Sequence, residues 1–192
     1  RSAAWNLEPD GGMGVTGNRI MTADLDGDGY PDLIIHAISS NARSNVPLPD
    51  GGRSPMLERV LMNRARPGGG RMFVDATVES GVFQIPGEDA GGALRSAQLA
   101  VAGDVDNDGD LDLFSGTQVD PTQPTTDPGD RSQILLNDGT GHFQLAPPSD
   151  TTPGAADLWP TTSASFVDAN RDGKLDVFVG FWYRDYGSTY DG

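Results

Sequence analysis

The sequence predicts an all-β fold made of repeated units of four antiparallel strands. An Asp-rich nonapeptide occurs three times, beginning at Asp24, Asp104 and Asp168. Each copy lies between two short runs of small, apolar, β-branched or aromatic residues, the pattern of buried strands. After the first and second copies comes a further pair of such runs, joined by a Gly-rich turn. No apolar period of 3.6 residues persists long enough for a helix.

The elements follow in chain order. The nonapeptides read Asp24-Leu-Asp26-Gly-Asp28-Gly-Tyr30-Pro-Asp32, Asp104-Val-Asp106-Asn-Asp108-Gly-Asp110-Leu-Asp112 and Asp168-Ala-Asn170-Arg-Asp172-Gly-Lys174-Leu-Asp176, spaced by 80 and 64 residues. The preceding runs are Ile20 to Ala23, Ala100 to Gly103 and Ala164 to Val167. The following runs, Leu33 to Ile35, Leu113-Phe114 and Val177 to Val179, read as strands buried on both faces. Val60 to Asn63 then matches Ile134 to Asn137, each followed by a Gly turn and a strand around Phe73 or Phe143.

One unit is therefore strand, Asp loop, strand, variable connection, strand, Gly turn, strand. Four antiparallel strands at this period fit a blade of a β-propeller, a fold that closes with about 4–8 blades. The expected division is 1–18 as the end of a preceding blade or a linker, 19–96 as a blade with loop 24–32, and 97–162 as a blade with loop 104–112. Residues 163–192 form part of a third, with loop 168–176. Two nearly complete blades and part of another do not close a ring. The remaining blades are expected from the same longer chain or from other chains.

Charge is clustered rather than spread. The formal net charge is −15, yet 12 of the 28 acidic residues fall inside the three loops. That sign argues against nucleic acid, whose phosphates need a basic surface. Cysteine is absent, so disulfides and thiolate metal sites are excluded. No apolar run reaches the roughly 18–20 residues that span a bilayer.

The loop pattern suits Ca²⁺, a hard cation that takes about 6–8 oxygens. Carboxylates at positions 1, 3, 5 and 9 with the carbonyl of position 7 supply such a shell, and Gly at position 6 permits the sharp bend. Positions 1, 5 and 9 are Asp in every copy. Position 7 is Tyr30, Asp110 or Lys174, which share no side-chain chemistry, as expected where only the carbonyl is used. Position 8 is Pro31, Leu111 or Leu175, apolar residues expected to pack beneath the loop. Asn170 carries one charge fewer at position 3, so the third site should be the weakest. Asp and Gly also favour ordinary turns, but four carboxylates in nine residues repel one another without a cation. An EF-hand is excluded, because position 12 is Ile35, Ser115 or Val179 instead of Glu.

The motif Dx[DN]xDGxxD between two strands, recurring at this spacing, resembles the FG-GAP or VCBS repeats of integrin-α-like propellers. The segment from Phe73 to Val82 is similar to bacterial secreted proteins of the ASPIC/UnbV and cartilage-acidic-protein type. The resemblance implies three calcium sites. Their ligands would be Asp24, Asp26, Asp28, Tyr30 (carbonyl) and Asp32; Asp104, Asp106, Asp108, Asp110 (carbonyl) and Asp112; and Asp168, Asn170, Asp172, Lys174 (carbonyl) and Asp176. It also implies a usual complement of seven blades.

Other chemistry is sparse. The two histidines, His36 on a strand and His142 at a Gly turn, read as core or surface residues. No nucleophile, phosphate-loop or zinc-protease motif is present. Connections between antiparallel strands alternate ends, so the long second-to-third connections fall opposite the Asp loops. Long loops on a rigid scaffold carry recognition. Trp182, Tyr183, Arg184 and Tyr186 form an aromatic, cation-bearing group suited to a protein or carbohydrate partner, or to a blade interface. Loops of this kind bind at roughly 10⁻⁴–10⁻³ M in extracellular modules, which points to a secreted, periplasmic or cell-surface protein. The expected role is a binding or adhesion scaffold with structural calcium. The alternatives are part of a secreted propeller lyase or hydrolase, or a structural subunit of a surface assembly.

Overall fold

The runs that flank each Asp loop are rich in β-branched and aromatic residues, which suit a pleated, packed surface, and they form strands. The computed structural model describes residues 19–36, 43–44, 47–52, 54, 56, 58–85, 93–95, 97–117, 132–147 and 161–181. About half of these lie in strands, and none lies in a helix. The protein has an all-β repeat fold. Among the described residues no helix is long and apolar enough to cross a membrane.

The first sheet contains β1 (Arg19–Ala23), β2 (Asp32–His36), β4 (Arg59–Ala65) and β5 (Arg71–Asp75). The second contains β7 (Ala97–Gly103), β8 (Asp112–Thr117), β9 (Gln133–Asn137) and β10 (Phe143–Leu145). Each is a four-stranded antiparallel meander, ordered β1-β2-β4-β5 and β7-β8-β9-β10. β11 (Thr161–Val167) and β12 (Asp176–Phe181) form an antiparallel pair that repeats the β1–β2 and β7–β8 hairpins. The register closes each hairpin on the Asp loop, pairing Ala23 with Asp32, Gly103 with Asp112 and Val167 with Asp176. The exits of β2 and β8 and the entries of β4 and β9 therefore lie at the opposite end.

A short pairing at that far end was not legible in the sequence. β3 (Arg43–Ser44), inside the second-to-third connection, pairs with β6 (Leu94–Arg95), inside the link between units. The two kinds of connection meet there because both leave the same end of the strands.

The core lies between the two four-stranded sheets. Leu25, Ile34, Val60 and Met62 from the first unit meet Ala97, Ala100, Leu113, Leu135 and Phe143 from the second. Ala76, Val82 and Phe83, from the link after β5, fill the space between them. The Phe83 carbonyl accepts from Arg95 N at 3.0 Å within this link, and the Ser80 carbonyl accepts from Phe143 N at 2.7 Å, which hydrogen-bonds the link into the second unit.

Two expectations about burial are corrected. β12 is not buried on both faces, since Phe178 is 60% exposed; its sheet has only two strands among the described residues. The residue beneath the first loop is Leu25 at position 2, fully buried, while Pro31 at position 8 is exposed. Pro31 instead offers its carbonyl to Asn63 Nδ2 at 3.2 Å, which leaves its ring outside.

Candidate metal centre

The three loops share one backbone–carboxylate network. In the first, Asp24 accepts from the amides of Asp28 (3.1 Å) and Gly29 (2.8 Å). In the second, Asp104 accepts from Asp108 (3.0 Å) and Gly109 (3.1 Å). In the third, Asp168 accepts from Asp172 and Gly173, both at 3.0 Å. Position 3 accepts from the position-5 amide in each loop, at 3.3, 3.3 and 2.8 Å. Position 5 accepts from the position-7 amide, at 3.0, 3.0 and 2.9 Å. These short side-chain-to-backbone bonds are what Asp offers a tight turn.

The wrapping converges the carboxylates. Oxygens of Asp24, Asp26 and Asp28 lie within 4.8 Å of one another, as do those of Asp104, Asp106 and Asp108. In the third loop Asn170 also bonds Asp172 Oδ2 through its amide nitrogen at 3.1 Å. An all-oxygen, multiply charged donor set of this kind fits a hard divalent cation.

Position 9 is placed differently. Asp32 and Asp112 are buried, and both of their oxygens accept backbone N–H groups. Asp32 Oδ2 takes Leu25 N at 2.8 Å and Oδ1 takes Asn63 N at 2.6 Å. Asp112 takes Val105 N and Asn137 N, both at 2.9 Å. Asp176 Oδ2 accepts from Ala169 N at 3.1 Å. Asp32 and Asp112 thereby fasten their loops to the third strand of their own sheet. Burial raises the pKa of Asp32 and Asp112 despite those bonds, and neighbouring carboxylates push in the same direction. A cation among positions 1, 3 and 5 would relieve that repulsion.

Asn63 and Asn137 close the corner. Asn137 Nδ2 donates to Leu111 O at 3.1 Å in its own unit and to Leu25 O at 2.8 Å in the first. Its Oδ1 accepts from Gly139 N and Gly141 N at 3.2 and 3.1 Å, shaping the Gly turn. Gly141 has a φ of 83°, left-handed backbone that favours glycine, and the turn it shapes lies against the end of Met62 in the first unit. The matched Leu-Met-Asn and Leu-Leu-Asn runs marked both asparagines as equivalent, but nothing in the pattern linked them to the loops.

Two more features were missed. Position 4 has positive φ in every loop, at Gly27 (67°), Asn107 (64°) and Arg171 (64°). Gly and Asn hinted at this, but Arg hid it. The first loop also carries two arginines. Arg64 pairs with Asp26 and Arg71 with Asp28, and the Arg71 guanidinium lies 3.8 Å from the Tyr30 ring centroid. The Arg71 hydrogen bond lowers the Asp28 pKa. In the third loop, the Lys174 amide and the Asn170 side chain lower that of Asp172.

Away from the Asp loops, His36, Glu58, Arg95, Gln98, Ser115 and Gln133 are buried polar or charged residues. Arg95 Nη1 donates to Ser115 Oγ at 3.1 Å and to Gln133 Oε1 at 2.8 Å. His36, only 1% exposed, is a core histidine with Nδ1 3.1 Å from the Ala97 carbonyl and its ring edge-on to Phe83. Burial lowers its pKa to about 4. His142 is exposed at the Gly turn. Trp182, Tyr183, Arg184 and Tyr186 lie outside the described residues.

The fold and the loops together define a repeat protein whose unit is a four-stranded antiparallel sheet carrying one acidic corner. Residues 104–179 match the family model of the FG-GAP-like repeat, and residues 16–37 match that of the FG-GAP repeat. The chain belongs to the FG-GAP-repeat proteins, a class typical of extracellular or surface proteins. Neither match extends over residues 73–82. No curated protein matches the chain.

Proposed function

We propose that the chain is a calcium-binding segment of an extracellular β-propeller and serves as a binding or adhesion scaffold in which the ions are structural. The observation that carries this reading is the threefold repetition of one loop geometry, with the carboxylates of positions 1, 3 and 5 gathered at a strand corner in the first two loops. The innermost strands β1, β7 and β11 lie side by side, as blades around a common axis require. Calcium at each corner would offset carboxylate repulsion and hold the hairpin, while the carbonyls of Tyr30, Asp110 and Lys174 and the acids at position 9 complete the shell. In this reading a protein or carbohydrate partner docks on the face opposite the Asp loops, with Trp182, Tyr183, Arg184 and Tyr186 as its proposed contacts. Secretion, to the periplasm, the surface or the medium, supplies the calcium.

Calorimetric titration with Ca²⁺ and thermal melts with calcium or chelator test it. At free calcium near ten times Kd, each filled site adds about 1.4 kcal/mol. Absence of binding heat together with superimposable melts would remove calcium from the function.

A further inference from the structure

The three loops are not electrostatically equal. The second holds Asp104, Asp106, Asp108, Asp110 and Asp112, and among the described residues no Lys or Arg forms an ion pair with it. The third has three aspartates, with Arg171 and Lys174 in the loop itself. The first has four, but two guanidinium groups are placed on them. Arg64, at the end of β4, pairs with Asp26, whose side chain is only 5% exposed. Arg71, opening β5, pairs with Asp28.

Arg71 is held rather than draped. Its Nε donates to Asn63 Oδ1 at 3.0 Å, and its plane stacks on Tyr30. Asn63 is the same residue whose backbone N–H anchors Asp32. In the second unit the equivalent Asn137 Oδ1 accepts from Gly139 and Gly141, because strand pairing there ends at Asn137 and Phe143 and the turn starts directly after Asn137, with no arginine brought back to the loop. A planar, always-charged fork fixed by two neighbours is a good substitute for a cation beside carboxylates.

We propose that the first loop is self-neutralised: Arg64 and Arg71 stand in for the ion, so residues 24–32 keep their shape without calcium and bind it more weakly than residues 104–112, whose order depends on it. This rests on the calcium reading of the loops. Calcium entering the first loop must displace Arg71 from Asp28 and approach two positive charges. Each guanidinium in a solvent-exposed site lowers affinity for a divalent ion by on the order of tenfold.

The test is peptide-resolved hydrogen exchange on the whole chain, with calcium and with chelator, beside calorimetric calcium titration. Expected for the natural sequence is chelator-induced loss of protection over 104–112 with none over 24–32. In Arg64→Gln/Arg71→Gln the 24–32 segment becomes chelator-sensitive, and one weak calcium site tightens by at least tenfold. Arg71→Lys, which keeps the charge but loses the fork and the Asn63 bond, gives a smaller change and guards against misfolding of the double variant. Equal chelator sensitivity of both loops in the natural sequence, or a double variant with unchanged exchange and affinity, overturns the proposal while leaving calcium binding intact. Silence of all loops together with no binding heat overturns the calcium reading itself.

Discussion

Removal of the Asp112 carboxylate separates anchoring from ion binding. Asp112 is fully buried, and its two oxygens accept from Val105 N and Asn137 N, each at 2.9 Å. Asp112→Ala leaves both amides without that acceptor. An unpaired buried N–H costs about 1–3 kcal/mol, so the pair costs about 2–6 kcal/mol. The lower half of that range is expected, about 2–4 kcal/mol, because burial has already raised the pKa of this carboxylate and made its charge unfavourable. That is a large fraction of a domain stability of about 5–15 kcal/mol. Asp112→Asn keeps one acceptor oxygen and should lose about half as much.

The assay is urea unfolding of each variant in chelator and again in calcium. The Asn137 bond reaches outside the loop and acts without the ion, so about half of the loss must be present in chelator; the Val105 bond and any ligand role of position 9 add to it once calcium orders the loop. Asp108→Ala is the complement: its carboxylate is exposed, so in chelator it should stay within about 0.5 kcal/mol of the natural protein while weakening calcium binding. If Asp112→Ala costs less than about 0.5 kcal/mol in chelator, the carboxylate does not hold the corner and the reasoning fails.

Arg171 occupies left-handed backbone with φ of 64°, where glycine is free and other residues lose about 1–2 kcal/mol. Arg171→Gly should therefore raise stability by about 0.5–1 kcal/mol after the larger chain entropy of glycine is counted, and a lower unfolding midpoint would refute the strain. His36, with a pKa of about 4 against an ordinary value of 6.5, stays neutral in the fold while the unfolded chain takes up its proton. Its contribution is full above pH 6.5 and is lost as pH falls towards 4, with a slope of at most about 1.4 kcal/mol per pH unit. His36→Phe should remove that slope between pH 6.5 and 4 in urea unfolding, and an unchanged pH profile would show that burial does not control this group.

Strand order and loop position were legible because both rest on local chemistry repeated in one chain. Apolar runs of strand length, Gly-rich turns and a fixed nonapeptide define the hairpins whatever surrounds them. The coming together of positions 1, 3 and 5 was legible for the same reason, since bonds spanning at most five residues shape the loop. What stayed hidden depends on distant partners. The pairing of Arg43–Ser44 with Arg95 and Leu94 joins segments some fifty residues apart with no apolar pattern. Ala76, Val82 and Phe83 look like a linker and become core only because two sheets close over them. Arg64 and Arg71 read as solvated charges beside a Gly turn, and only the β4–β5 hairpin, closing next to the β1–β2 corner, puts them on Asp26 and Asp28. The burial of Asp32 and Asp112 was hidden because a motif reports which oxygens are near, and not which amides claim them.

These long-range bonds also tie one unit to the next at both ends. At the Asp-loop end, Leu25 donates its amide to Asp32 and gives its carbonyl to Asn137 of the second unit. At the far end, the first strands of the second and third units each carry a register shift, between Ala97 and Leu99 and between Thr161 and Ser163. Each shift leaves one extra residue, Gln98 or Thr162, out of the ladder register. Arg19 of the first unit donates to both carbonyls, at 3.5 and 3.4 Å. One guanidinium thus joins three units at the starts of their first strands. In such an array the stability of a unit includes its interfaces with neighbours. An ion that orders the second loop therefore also orders the Asp112 carboxylate that holds Asn137, on which the contact to Leu25 depends, and calcium at that corner is expected to stabilise two units rather than one.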